Sequence, residues 1–143
     1  MINFFENLKK IEKVKDFKVV EDGKSIALLN YDDFQLYAVQ FYVDEVCLSK
    51  IIINFDFKNS KKNNKLKIYD YINQTIQSLP LVRITLKDIN SNSIDLSFMV
   101  DYSIDDKYFT SKQLEKDLDI LITASALLED MLKGKTEIKN NKG

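Results

Sequence analysis

The chain has no histidine, one cysteine (Cys47), one proline (Pro80), one arginine (Arg83) and three glycines in 143 residues. Without an imidazole there is no Ser–His–Asp triad, no Cys–His dyad and no His-ligated metal site within this chain. A single thiol excludes an internal disulfide and agrees with a reducing compartment. With glycine only at Gly23, Gly134 and Gly143, there is no glycine-rich phosphate loop. Every basic residue except Arg83 is a lysine, which leaves few means of bidentate phosphate or carboxylate recognition. Lys plus Arg is 21 against 22 Asp plus Glu, a net charge of -1, so bulk positive charge does not hold this chain to nucleic acid. No apolar run approaches the roughly 20 residues of a spanning helix. No apolar stretch of signal-peptide length follows the lysine-rich start. The expectation is a cytoplasmic protein with no membrane and no nucleic-acid partner.

Hydrophobic residues make up 45% and charged residues 30%, enough for a real core. The reading is one α+β domain over residues 1–134 and a disordered polar tail over 135–143. Phe4, Leu8, Ile11 and Val14 carry helical spacing, so a first helix is expected over Asn3–Val14, with Asn3 and Glu6 as a capping box. Phe17–Val20 and Ser25–Leu29 read as a strand pair turning at Asp22-Gly23. A second turn at Tyr31-Asp32-Asp33 leads into a long strand, Phe34–Val43. A reversal at Asp44-Glu45 leads into another, Val46–Phe57. Lys58–Lys65 has no apolar residue and reads as a solvated loop.

A second helix is expected over Leu66–Leu79, with Leu66, Tyr69, Ile72, Ile76 and Leu79 as its buried stripe, ended by Pro80. Leu81–Leu86 and Ile94–Tyr102 are the next strands, joined by a polar turn at Asp88–Asn92; the latter alternates cleanly enough to expect one wet face. Thr110 and Gln113 form a capping pair for a last helix running to about Lys133, with Leu114, Leu118, Leu121, Leu128 and Leu132 in one stripe and Gly134 as its stop. The order is helix, four strands, helix, two strands, helix. Strand runs joined by short turns mean antiparallel pairing.

The two long strands are apolar on both sides. In the first, Phe34, Leu36, Ala38 and Tyr42 share one face and Tyr37, Val39, Phe41 and Val43 the other; in the second, Cys47, Ile51, Ile53, Phe55 and Phe57 oppose Val46, Leu48 and Ile52. A half-solvated sheet alternates apolar with polar residues. The second face is therefore expected to be covered by a helix of the chain, a second protomer or a bound partner. Candidate partner-binding residues are Tyr37, Val39, Phe41, Leu48 and Ile52, with Tyr71 as an exposed tyrosine beside Asp70. The adjacent acids Asp32-Asp33, Asp44-Glu45 and Asp105-Asp106 lie where turns are expected, and Asp serves turns through local hydrogen bonds. Cys47 has no group to activate it. No catalytic residue, cofactor or metal is expected.

The hairpin at Asp22-Gly23, the paired strands Phe34–Val43 and Val46–Phe57, the helix containing Ile72-Asn73, the pair Val82–Leu86 and Ile94–Tyr102, and the Thr110-capped helix with Leu114 and Leu118 together resemble the type III secretion chaperone-like fold, in particular its YbjN-type branch. The short strand Phe17–Val20 is additional to the three strands usual before the central helix of secretion chaperones. The resemblance implies a curved antiparallel sheet with helices and a non-enzymatic bacterial protein, often a homodimer. Such a protein binds another protein or an extended peptide, as a chaperone or a regulator. The alternative is an immunity- or inhibitor-type protein that blocks a cognate toxin.

Overall fold

The structure, a computed structural model, describes residues 2–20 and 25–135. The expected Asp22-Gly23 turn and the tail beyond Lys135 lie outside the described residues. The elements are α1 (Asn3–Lys9), β1 (Val14–Val20), β2 (Ser25–Tyr31), β3 (Phe34–Val43), β4 (Val46–Lys58), α2 (Lys65–Ser78), β5 (Arg83–Ile89), β6 (Ser93–Tyr102), a 3-10 turn (Asp106–Tyr108) and α3 (Ser111–Leu132). The protein is α+β, a six-stranded antiparallel open sheet in the order β1-β2-β3-β4-β6-β5 with three helices. The chain divides into two compact units, residues 1–53 with 99–119 and residues 54–98 with 120–143.

In the first unit, α1 is shorter than its spacing predicts. It stops at Lys9, and Val14 already belongs to β1. Ile11 and Val14 remain buried because the chain continues through turns of i→i+3 type, the Ile11 N–H to the Leu8 carbonyl at 3.2 Å and the Val14 N–H to the Ile11 carbonyl at 3.0 Å. Such turns preserve a three-residue apolar spacing without a helix, which is why the pattern over-extended it. The expected capping box is also absent: Ile2 is the N-cap and supplies no side-chain bond. The cap comes from Asp106, whose carboxylate accepts the N–H groups of Asn3 (2.8 Å) and Phe4 (2.9 Å). Phe4 packs on Phe109 with centroids 4.6 Å apart, and Tyr102 meets Phe109 edge-on at 5.2 Å.

Strand β1 begins three residues earlier than expected and carries a bulge between Lys15 and Lys18, where Asp16 takes φ 54°. Bulges with charged flanks twist and shield an edge strand. The β2–β3 turn places Asp32 at φ 49° and Asp33 at φ 69°, the two positive angles of a type I′ hairpin. Asp44, at φ 56°, turns β3 into β4.

In the second unit, Asn59 corrects the expectation of a freely solvated loop. It is buried, its side chain donates to the carbonyls of Asn63 and Asn90 (3.1 Å each), and it accepts the Asn63 N–H at 2.8 Å. Asn64 caps α2 by accepting the Lys67 N–H at 2.8 Å. Helix α2 ends at Ser78, ahead of Pro80, yet its buried face is Ile68, Ile72 and Thr75. Leu66 and Tyr69, expected in the core, are exposed. The Phe55 and Phe57 rings stack at 5.1 Å, with Phe98 edge-on to Phe55 at 5.6 Å. Strand β5 starts at Arg83 rather than Leu81 and extends through Ile89, which moves the following turn to Asn90–Asn92.

Strand β6 has the expected wet face only in part: Asp101 is exposed and Asp95 half-buried, but Ser97 and Met99 between them are buried. It lies between β4 and β5, so neighbouring strands flank it on both sides. Helix α3 opens with the Gln113 N–H on the Thr110 hydroxyl at 3.3 Å. It closes with Gly134 at φ 77°, whose N–H bonds the Met131 carbonyl while the Lys135 N–H bonds the Asp130 carbonyl, each at 2.9 Å. That pair of bonds is a Schellman closure, and the positive φ it requires selects glycine.

Candidate functional site

The residues that converge on one surface are on β2, β3 and β4 in the first unit. Two tight turns set the register. Across β2 and β3, Ile26 stands opposite Val39 and Leu28 opposite Tyr37. Across β3 and β4, Tyr37 stands opposite Ile52, Phe41 opposite Leu48 and Val43 opposite Val46. Because side chains alternate along a strand, these residues share one face, and Leu36, Ala38, Cys47, Ile51 and Ile53 take the other.

The two faces differ sharply in burial. Leu36, Ala38 and Ile51 are fully enclosed, whereas Tyr37 is 36% exposed, Phe41 40%, and Val43 and Val46 52% each. Val39, Leu48, Ile52, Ile26 and Leu28 are half-buried. No described element of this unit covers this outer face. Lys50 is its charged member: its ammonium lies 3.7 Å from an Asp101 carboxylate oxygen and 5.8 Å from the Phe41 ring centroid. The lysine stem and ring thus cover apolar surface while the charge stays paired.

The inner face holds its register partly through polar bonds. Gln40, buried, donates to the Ser49 hydroxyl at 3.0 Å and to Asp106 at 2.8 Å. Two tyrosines are also tied to carboxylates within this unit, Tyr31 to Asp119 and Tyr102 to Asp117. Burial, then the bonded carboxylate, pushes both phenols well above the ordinary value of 10.0. At the β3–β4 turn, the Tyr42 phenol is also held above its ordinary range, first by its hydrogen bond with Cys47 and then by the charge of that group.

Five of the sequence-predicted residues, Tyr37, Val39, Phe41, Leu48 and Ile52, therefore stand together on the outer face. The sixth, Tyr71, lies on α2 in the second unit, where it is half-buried, and Tyr69 is the exposed tyrosine of that helix. The assignments of the two tyrosines are reversed because α2 turns the Ile68–Ile72–Thr75 face inward. Ile26 and Leu28 were missed; their alternation with Ala27 and Leu29 was the available signal.

The acid pairs serve the backbone. Asp32-Asp33 and Asp44-Glu45 form turns, Asp105 accepts the Lys107 N–H at 3.1 Å, and Asp106 caps α1. Cys47 is buried, 3.9 Å from the Ser49 hydroxyl. Among the described residues no group of three or more acidic or thiol ligands could hold a metal ion, and no helix is long and apolar enough to cross a membrane.

No protein-family model matches this chain, and neither does any curated protein. Among solved structures, an uncharacterized protein from Methanothermobacter thermautotrophicus is similar over 91% of this chain and 94% of its own, with 12% identity and a TM-score of 0.64. That likeness is one of fold. YbjN from E. coli, described as a putative transcription regulator, aligns over 80% of each chain with 14% identity and a TM-score of 0.45.

Proposed function

We propose that this chain is a non-enzymatic protein-binding module, chaperone-like or regulatory, of the YbjN type. It receives a partner protein or an extended peptide on the outer face of β2–β4. The carrying observation is the contrast across one sheet. The inner face is sealed from Leu36 to Gln40 and from Cys47 to Ile53, opening at Tyr42 beside the turn, and the outer face presents Tyr37, Phe41, Val43 and Val46 to solvent beside the half-buried Val39, Leu48 and Ile52. Fully burying a side chain of this size contributes about 1.5–3 kcal/mol, so covering the exposed fractions of several is a substantial driving force for association. A contiguous apolar surface on a folded domain marks an interaction site more often than scattered apolar residues do. The use of the acid pairs in turns and caps, and the burial of Cys47, support the non-enzymatic part of the reading.

The test compares the native chain with a Val39→Lys/Phe41→Lys variant whose circular dichroism is unchanged. Sedimentation is followed over rising concentration, and capture from the host lysate is compared between the two proteins. The expected result is self-association or a captured protein that the variant loses. A native chain that stays monomeric and captures only what the variant captures overturns the proposal.

A further inference from the structure

The densest run of one charge lies in the second unit. Residues 58–69 carry five lysines (Lys58, Lys61, Lys62, Lys65 and Lys67) and no acid; with 21 basic and 22 acidic residues in the whole chain, the remainder stands at -6. All five lysines are exposed. They project from a fixed scaffold. Asn59 locks the loop from beneath, the Lys62 ammonium donates to the Ser91 carbonyl at 2.9 Å, and the Lys67 ammonium sits 5.7 Å from the Tyr71 ring centroid. Pre-ordered groups lose less freedom when a ligand arrives.

Beside these lysines, the start of α2 carries a groove of about 490 Å³ lined by Asn64, Leu66, Lys67, Tyr69, Asp70 and Asn73. Leu66 is 80% exposed and Tyr69 44%. Neither contributes to the core face of α2, which is Ile68, Ile72 and Thr75. An aliphatic and an aromatic side chain thus line a cleft beside five lysines, with Asp70 as the acid in its lining.

We infer that this surface binds an acidic peptide segment bearing an apolar side chain. The peptide carboxylates meet the lysines, and its apolar side chain enters between Leu66 and Tyr69. The Asn73 amide, which both donates and accepts, matches a peptide backbone. The Asp70 carboxylate takes the Gln74 amide at 3.1 Å on one oxygen and offers the other to peptide N–H groups, donors that a phosphodiester backbone lacks, which disfavours nucleic acid as the occupant. This site is independent of the outer sheet face and stands whether or not that face binds a partner.

The experiment measures fluorescence anisotropy of a labelled synthetic peptide of aspartates and glutamates around a central leucine, with the full chain at low salt. Saturable binding that weakens as salt rises is expected, because exposed charge pairs are screened. A Lys61→Glu/Lys65→Glu/Lys67→Glu variant should bind about tenfold or more weakly, the combined effect of several weak exposed pairs. Leu66→Asp should weaken binding, and Phe41→Lys on the sheet should leave it unchanged. Circular dichroism checks that each variant folds. Absence of saturable binding overturns the inference. So does equal affinity for the peptide with serine in place of leucine, or tighter binding to a single-stranded RNA of equal charge or to phosphatidylserine vesicles.

Discussion

The Tyr102 hydroxyl donates a hydrogen bond to the carboxylate of Asp117, a residue of α3 that is itself almost fully buried. The other carboxylate oxygen accepts from the Gln113 amide at 3.0 Å, so this acid is enclosed with a donor on each oxygen. Removing a donor from a buried, bonded carboxylate costs about 1–3 kcal/mol. Tyr102→Phe should therefore lower the urea midpoint substantially. Tyr31→Phe should cost less, because its partner Asp119 is exposed and water can replace the lost bond. Equal losses in the two variants would contradict this ordering.

Alkaline titration should expose the same pairs. Burial and the bonded carboxylates raise the Tyr31 and Tyr102 phenols in the folded state above the ordinary 10.0 of an unfolded tyrosine. The neutral phenol is the form the fold favours. Its stabilisation is complete below about pH 10 and is lost as pH climbs beyond it, because the unfolded chain releases those protons first. Phenolate absorbance of the seven tyrosines should thus show a late component that coincides with unfolding. The Tyr31→Phe/Tyr102→Phe variant should lack it.

Opposite faces of β3 should respond unequally to substitution. Leu36 is fully enclosed, so Leu36→Ala should destabilise by about 2–5 kcal/mol through lost burial and a residual cavity. Phe41→Lys, on the outer face, should cost clearly less, about 1 kcal/mol, through the lost Lys50–ring contact and the buried part of the ring. Paired chemical-denaturation curves measure both. A large loss from Phe41→Lys in the isolated chain would mean that the outer face is already packed.

The end of α3 offers a backbone test. Gly134→Ala forces a side chain into the left-handed region at φ 77° and should cost about 1–2 kcal/mol. Amide exchange near Leu132 should quicken, while protection in β1–β3 stays unchanged. Uniform loss of protection throughout the chain would refute this local role.

Much of the architecture was legible from the sequence because its causes are local. The turns at Asp32-Asp33 and Asp44-Glu45, the Thr110 start and the Gly134 stop each depend on neighbours within a few residues. The alternation of β3 and β4 also placed Tyr37, Val39, Phe41, Leu48 and Ile52 on a common face. What stayed hidden depends on distant partners. Two amphipathic stripes were possible on α2, both containing Ile72, and only packing selects the one with Ile68. Asp106 looked like a turn residue, yet it caps a helix 102 positions away. Asn59 read as part of a solvated loop, and no local pattern singles out Gln40 or Asp117; the buried bonds of all three reach partners that local spacing does not reveal.

The Asp106 cap ties Asn3 and Phe4 to a residue made more than a hundred positions later. While the nascent chain is still on the ribosome, Asn3 and Phe4 have no carboxylate to receive their amide protons until more than a hundred residues have been translated. Phe109, the ring that Phe4 packs against, is also among the late arrivals. Phe5 finds the Phe17 ring early, but Phe4 is greasy bait without a berth until Phe109 has been made, so α1 gains its cap and the cover of Phe4 only after six strands have been synthesised.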